Sequence, residues 1–211
     1  MKQKKVKKGL KKHFRVAIFG SARIKRGDKW YKIVKALSKE LAKENIDIVT
    51  GGGPGLMDAA SRGHHSARKR NAKSIGLAIH LPHEQHFAYH LDLKKQFHRF
   101  SKRLDTFMNL ADVVIVAPGG VGTLLEFFYT WQLVQVKQLC DTPIILLGNM
   151  WPGLLTWLKK EPLRKKLMNK TDFNSIFTAK TCKDAITIIK RVKEDFESGA
   201  HPCRNFEKYK N

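Results

Sequence analysis

The feature that most constrains this chain is its regular alternation of short apolar runs with longer segments of helical period. An apolar run from Arg15 to Phe19 ends at Gly20-Ser21. Trp30, Ile33, Val34, Leu37 and Leu41 then recur at the spacing of one helix face, as far as Glu44. Ile46 to Val49, Ser74 to Ile79, Asp112 to Ala117, Pro143 to Leu147 and Ser175 to Ala179 read as five further strands. Between them lie helices predicted from Leu56 to Ala67, His98 to Leu110, Thr123 to Gln138 and Leu154 to Leu167, with a last one from Lys183 to Phe196. Residues 80–97 read as irregular and rich in histidine. Short apolar strands separated by helices bury both faces of a parallel sheet and connect by right-handed crossovers. The expected class is α/β, a Rossmann-like doubly wound sheet with helices on both faces. It forms a single domain over residues 14–198, between a basic leader (1–13) and a tail (199–211).

In open parallel sheets, ligands bind beyond the carboxyl ends of the strands. Three loops fall on that edge: Gly20-Ser21-Ala22-Arg23, Gly51 to Gly55, and Pro118 to Thr123. In the third, Gly119, Gly120 and Gly122 let the backbone approach a ligand closely, and the free N–H groups of the helix start favour a phosphate. Thr123 can cap the helix or offer its hydroxyl to the anion. A tight turn needing glycine for geometry alone explains one such loop equally well. Neither GxxxxGK[ST] nor GxGxxG occurs, which argues against triphosphate and nicotinamide sites.

Two side chains beside the third loop carry alternative readings. Thr123 and Glu126 have the spacing of a capping box. Equally, Glu126 can be a carboxylate that stabilises an oxocarbenium-like sugar or orients water. Arg103 is either part of a solvated basic helix face or a guanidinium fork for phosphate.

Charge is the unusual part of the composition: 41 Lys and Arg against 18 Asp and Glu give +23. Residues 1–12 hold seven lysines and no acid, and the remainder keeps 34 basic residues against 18 acidic ones. Such a surface attracts phosphorylated ligands, and the leader can bind polyanions nonspecifically. Three widely spaced cysteines, Cys140, Cys182 and Cys203, do not suggest a zinc knuckle or a disulfide framework. With no apolar run of membrane length, we expect a cytoplasmic protein that does not engage a membrane.

The motifs resemble those of the LOG ("lonely guy") family of phosphoribohydrolases from about Phe14 to Phe196. They are Phe19-Gly20-Ser21-Ala22-Arg23, Thr50-Gly51-Gly52-Gly53-Pro54-Gly55-Leu56-Met57, Leu81-Pro82-His83-Glu84-Gln85 and the PGGxGTxxE stretch from Pro118 to Glu126. The resemblance implies a homodimer that hydrolyses nucleoside 5′-monophosphates, AMP or N6-modified AMP, to free base and ribose 5-phosphate. It implies an N-glycosidase without cofactor or metal. The family's essential arginine stands fifteen residues before the hallmark proline, which is Arg103 here. Arg103 and Glu126 would be the catalytic pair. Gly119, Gly120, Gly122 and Thr123 would cradle the phosphate, with Ser21, Gly53, Met57 and Glu84 near the ligand.

This chain departs from the family at Leu104, Tyr129 and Gln132, where the family usually has lysine, an acidic residue and threonine. The family is sometimes labelled lysine decarboxylase, a reaction that needs a pyridoxal phosphate lysine for which no signature is present. His83, His86 and His90 have helical metal-site spacing, but Pro82 argues against a helix there, so loop histidines are expected. The lysines of residues 159–170 are expected to form a solvated face. Two other functions compete: a nucleotide or cofactor carrier on the same scaffold, such as the molybdenum-cofactor carriers, and a nucleic-acid-binding protein using its basic surface.

Overall fold

A computed structural model describes residues 13–67, 71–80, 87–139 and 142–199. The basic leader through Lys12, the tail after Gly199, Glu84, His83, His86, Cys140 and Cys203 therefore lie outside the described residues.

Seven strands form one sheet: β1 (Arg15–Phe19), β2 (Asp47–Thr50), β3 (Ser74–Ile79), β4 (Leu93–Phe97), β5 (Val113–Val116), β6 (Ile144–Leu147) and β7 (Ile176–Ala179). Their order is β4-β3-β2-β1-β5-β6-β7, and every pairing is parallel. The expected doubly wound class is what the chain adopts. The winding reverses at β1, which lies between β2 and β5, with Val16 opposite Val113 and Phe19 opposite Val116.

Alternate residues of the central strands feed two cores, the consequence of period-two side chains on a sheet covered on both sides. Val16, Ile18, Val113, Ile115, Ile145 and Leu147 pack under α1 (Lys29–Lys43), α2 (Leu56–Ala67) and α6 (Cys182–Glu197). Ala17, Phe19, Val114, Val116, Ile144 and Leu146 pack under α3 (Phe100–Leu110), α4 (Val121–Gln135) and α5 (Trp151–Leu158). Helix ends are set locally. Asp28 caps α1 by accepting from the Trp30 N–H at 2.7 Å, and Thr181 with Asp184 forms a capping box on α6. At Gly63 in α2, an added Cβ would lie 2.0 Å from the Lys35 carbonyl oxygen, so α1 and α2 can approach as they do only over a glycine.

Three sequence expectations are corrected. Leu93–Phe97 is not irregular but the edge strand β4, and its first four residues are exposed. The helix expected to run to Leu167 leaves α-helical geometry after Leu158, where a widened turn at Lys159–Leu163 contains Pro162. Proline removes a backbone donor and crowds the preceding turn, which is enough to end the regular hydrogen-bond ladder. Thr123 is not a helix cap: α4 begins at Val121 with Gly120 as its N-cap, so Glu126 does not complete a capping box. Residues Lys159, Lys160, Lys165, Lys166 and Lys170 are exposed, as a solvated face requires.

Candidate active site

The reversal of winding at β1 leaves a crevice between the loops that follow β1 and β5, where a Rossmann-like sheet takes its ligand. Backbone hydrogen bonds lock its walls. The Ser21 N–H donates to the Pro118 carbonyl, and the Leu56 N–H to the Ser21 carbonyl, both at 3.0 Å. One residue thus ties all three glycine loops together. Gly55 stands at φ +68°, and a Cβ there would fall 2.3 Å from the Ser21 carbonyl oxygen, so this junction admits only glycine.

The resulting cleft has a volume of about 750 Å³. Ser21, Gly53, Met57, Gly120, Gly122, Thr123, Arg103 and Glu126 all line it, eight of the ten residues expected at the site. Gly119 is not among the lining residues. A Cβ on it would lie 2.1 Å from Thr123 Oγ1, so the glycine lets the loop fold directly over the threonine. Glu84 lies outside the described residues. The cleft also draws on Phe87, Gln96 and Phe100, which sequence reasoning missed. For Phe100 a signal existed: it precedes Arg103 by three residues, the spacing that brings two side chains together on one helix face.

At the start of α4, the first residues are Val121, Gly122 and Thr123, and no side chain among the described residues caps the helix. Their N–H groups have no partner within the helix and carry the positive end of its dipole. One turn further, Glu126 faces α3. Arg103 Nη2 donates to Glu126 Oε1 at 2.5 Å, and each side chain keeps only 11% of its exposure. The guanidinium lies 5.6 Å from the ring centres of both Phe100 and Phe107, and its Nε is buried with no hydrogen-bond partner among the described residues. Burial pushes the Glu126 carboxyl up to about 7, against the opposing pull of the Arg103 charge and hydrogen bond. The pair therefore combines a fixed cation with a carboxyl near its titration midpoint at neutral pH.

The three family departures have definite positions. Leu104 is buried in the α3 packing, and Gln132 is exposed on α4. The Tyr129 hydroxyl donates to Asp105, a second link between α4 and α3, and this bond pushes the phenol up to about 12. Among the described residues no group of three potential metal ligands comes together. His90 instead stacks on His65 at 4.5 Å. No helix among the described residues is long and apolar enough to cross a membrane.

These features define a class: a Rossmann-like α/β protein with a phosphate-suited helix start and an acid–guanidinium pair in its switch-point cleft. Residues 57–189 match the family described as "Possible lysine decarboxylase", and the chain belongs to that family, in keeping with the LOG resemblance of its motifs. The curated pyrimidine/purine nucleotide 5′-monophosphate nucleosidase of Escherichia coli K12 is 29% identical over 128 residues, covering 56% of this chain and 28% of the relative. The match thus spans little more than a quarter of that longer protein. Among solved structures, the molybdenum cofactor binding protein of Rippkaea orientalis superposes with a TM-score of 0.62 at 22% identity, over 88% of this chain and 99% of that one. The molybdenum cofactor carrier protein of Chlamydomonas reinhardtii gives 0.62 at 19% identity, over 86% and 99%. At such identities these likenesses concern the fold. The family description suggests pyridoxal phosphate chemistry, which requires a lysine amine for the Schiff base. The described residues lining the cleft include no lysine, so they do not fit that group.

Proposed function

We propose that this protein hydrolyses the N-glycosidic bond of nucleoside 5′-monophosphates, releasing the free base and ribose 5-phosphate. The observation that carries this reading is the buried Arg103–Glu126 pair one helical turn from an uncapped, glycine-rich helix start. The 5′-phosphate sits on the N–H groups of Gly120, Gly122 and Thr123, supported by the helix dipole. This places the ribose towards Glu126. As the bond from C1′ to the base nitrogen lengthens, positive charge develops on the sugar ring, and the ionised Glu126 stabilises it. The carboxylate accepts a proton from the attacking water as its oxygen bonds to C1′. The departing base takes up a proton, so that water is added across the broken bond. Arg103 orients the carboxylate and keeps part of it ionised at neutral pH. The relationship to a named nucleotide 5′-monophosphate nucleosidase supports the same chemistry.

We take AMP and N6-modified AMP as the substrates, and a homodimer in the cytoplasm as the working form. An apolar stripe on α4, with Val121 84%, Leu125 46% and Phe128 39% exposed, supports pairing with a second copy. The leader supplies nonspecific polyanion attraction.

Incubating the purified chain with AMP and with its N6-isopentenyl analogue, followed by chromatography of the bases, tests the reading. Liberated base well above the level of a Glu126→Ala control is expected. Stoichiometric nucleotide binding without product would replace this reading with a carrier function.

A further inference from the structure

Beside the main cleft lies a second cavity of about 480 Å³, and the two share Ala22, Arg23, Pro54 and Phe87 as a common wall. Its chemistry differs from that of the cleft. Arg23, Lys25 and Arg26 are exposed around it. Among the described residues lining it there is one acid, Asp58, and it is already occupied: Tyr31 donates to it at 2.6 Å, Arg62 Nε lies 2.9 Å from both oxygens, and Arg26 stands at 3.7 Å. The described lining is therefore strongly cationic on balance. It also presents aromatic rings. Tyr89 is 80% exposed, and the Arg62 guanidinium covers one of its faces at 5.5 Å. Phe87, in the shared wall, is covered in the same manner by Lys94 at 5.5 Å.

Cations that meet a phosphodiester, next to aromatic faces on which a base can stack, are the two elements of a single-stranded nucleic-acid subsite. At about 750 Å³ the main cleft has the size of a small-ligand site, room enough for one nucleotide. We propose that the second cavity binds a second, phosphate-linked nucleotide, so that the protein takes short single-stranded oligonucleotides with the terminal nucleotide in the main cleft. Arg23, Lys25 and Arg26 would hold the linking phosphate, and the open face of Tyr89 would carry the second base. This rests on the main cleft being a mononucleotide site, and the experiment below separates the two claims.

Calorimetric titration is done on the full chain carrying Glu126→Gln, in which turnover is slow enough for binding to be read. The ligands are AMP, ADP and the 5′-phosphorylated adenine dinucleotide. The dinucleotide should bind about ten-fold more tightly than AMP, within what one base–aromatic stack contributes. Tyr89→Ala and Lys25→Gln, both at exposed positions, should each remove most of that gain while leaving AMP within about two-fold. Tyr89→Ala changes no charge, so general attraction to the basic surface would not respond to it. ADP should show less gain than the dinucleotide and no response to Tyr89→Ala. Equal binding of AMP and dinucleotide would overturn the proposal, as would ADP reproducing the whole gain or Tyr89→Ala weakening AMP equally. If neither AMP nor dinucleotide binds, the mononucleotide reading of the main cleft falls as well.

Discussion

Replacing Arg103 by methionine separates the two influences acting on Glu126. Methionine keeps apolar bulk between Phe100 and Phe107 but removes the charge and the 2.5 Å hydrogen bond. In the unaltered protein, burial raises the carboxyl and Arg103 pulls it back, leaving it at about 7. A neighbouring guanidinium lowers a carboxyl by roughly 1–3 pH units, so Arg103→Met should move Glu126 further upward by an amount of that order. At pH 7 the ionised share then falls from about one half to between roughly one tenth and one thousandth. Ionised Glu126 is the active form in the proposed mechanism. The acid limb of kcat/KM for base release should therefore have its midpoint at about 7 in the unaltered protein and move upward in the variant. Carbon-13 NMR of glutamate-labelled protein follows the same titration without turnover. A limb and resonance that stay near neutral pH, or move down, would refute the electrostatic coupling of the pair.

The same group makes stability depend on pH. Because the folded carboxyl lies at about 7 rather than 4.5, its contribution is complete below about 4.5 and lost as pH rises through about 7. Between pH 5 and pH 8 this amounts to roughly 2–3 kcal/mol, and the dependence should disappear in Glu126→Gln; urea midpoints at the two pH values read it. Gly55→Ala forces a Cβ to 2.3 Å from the Ser21 carbonyl at φ +68°. It should destabilise by at least roughly 1–3 kcal/mol in thermal unfolding and weaken nucleotide binding through the disturbed loop. Tyr129→Phe removes the bond to Asp105, which faces water, so a loss of only about 0.5–1.5 kcal/mol is expected by chemical denaturation, with kcat/KM nearly unchanged. Gly63→Ala meets the Lys35 carbonyl at 2.0 Å and should separate α1 from α2, lowering Tm with little change in the chemistry of the cleft.

The sheet was readable because its central strands are buried on both faces, which makes them continuous apolar runs such as Val113–Val116 and Ile144–Leu147. β4 was not, because Leu-Lys-Lys-Gln-Phe is an exposed edge whose strand character comes from pairing with β3. The glycine loops placed the cleft, since only a few residue types allow such close crossings of backbone. The T-x-x-E pattern misled because a capping box presupposes where the helix starts, and α4 starts two residues before Thr123. Arg103 and Glu126 stand on different helices, 23 residues apart. Periodicity left both open to bland readings, and the motif resemblance singled them out. Phe87 and Gln96 carry no sequence mark that separates a cleft wall from any other surface or core position.

The most direct test of the central claim is a product balance. Purified protein is incubated with AMP, and adenine, ribose 5-phosphate, adenosine and inorganic phosphate are quantified together, with Glu126→Gln in parallel. Adenine and ribose 5-phosphate should appear in equal amounts, and Glu126→Gln should slow both by roughly 10²–10⁴-fold, the usual contribution of a positioned general base. Adenosine with inorganic phosphate, or equal adenine release by the variant, would contradict the assignment of the Arg103–Glu126 pair to glycosidic cleavage.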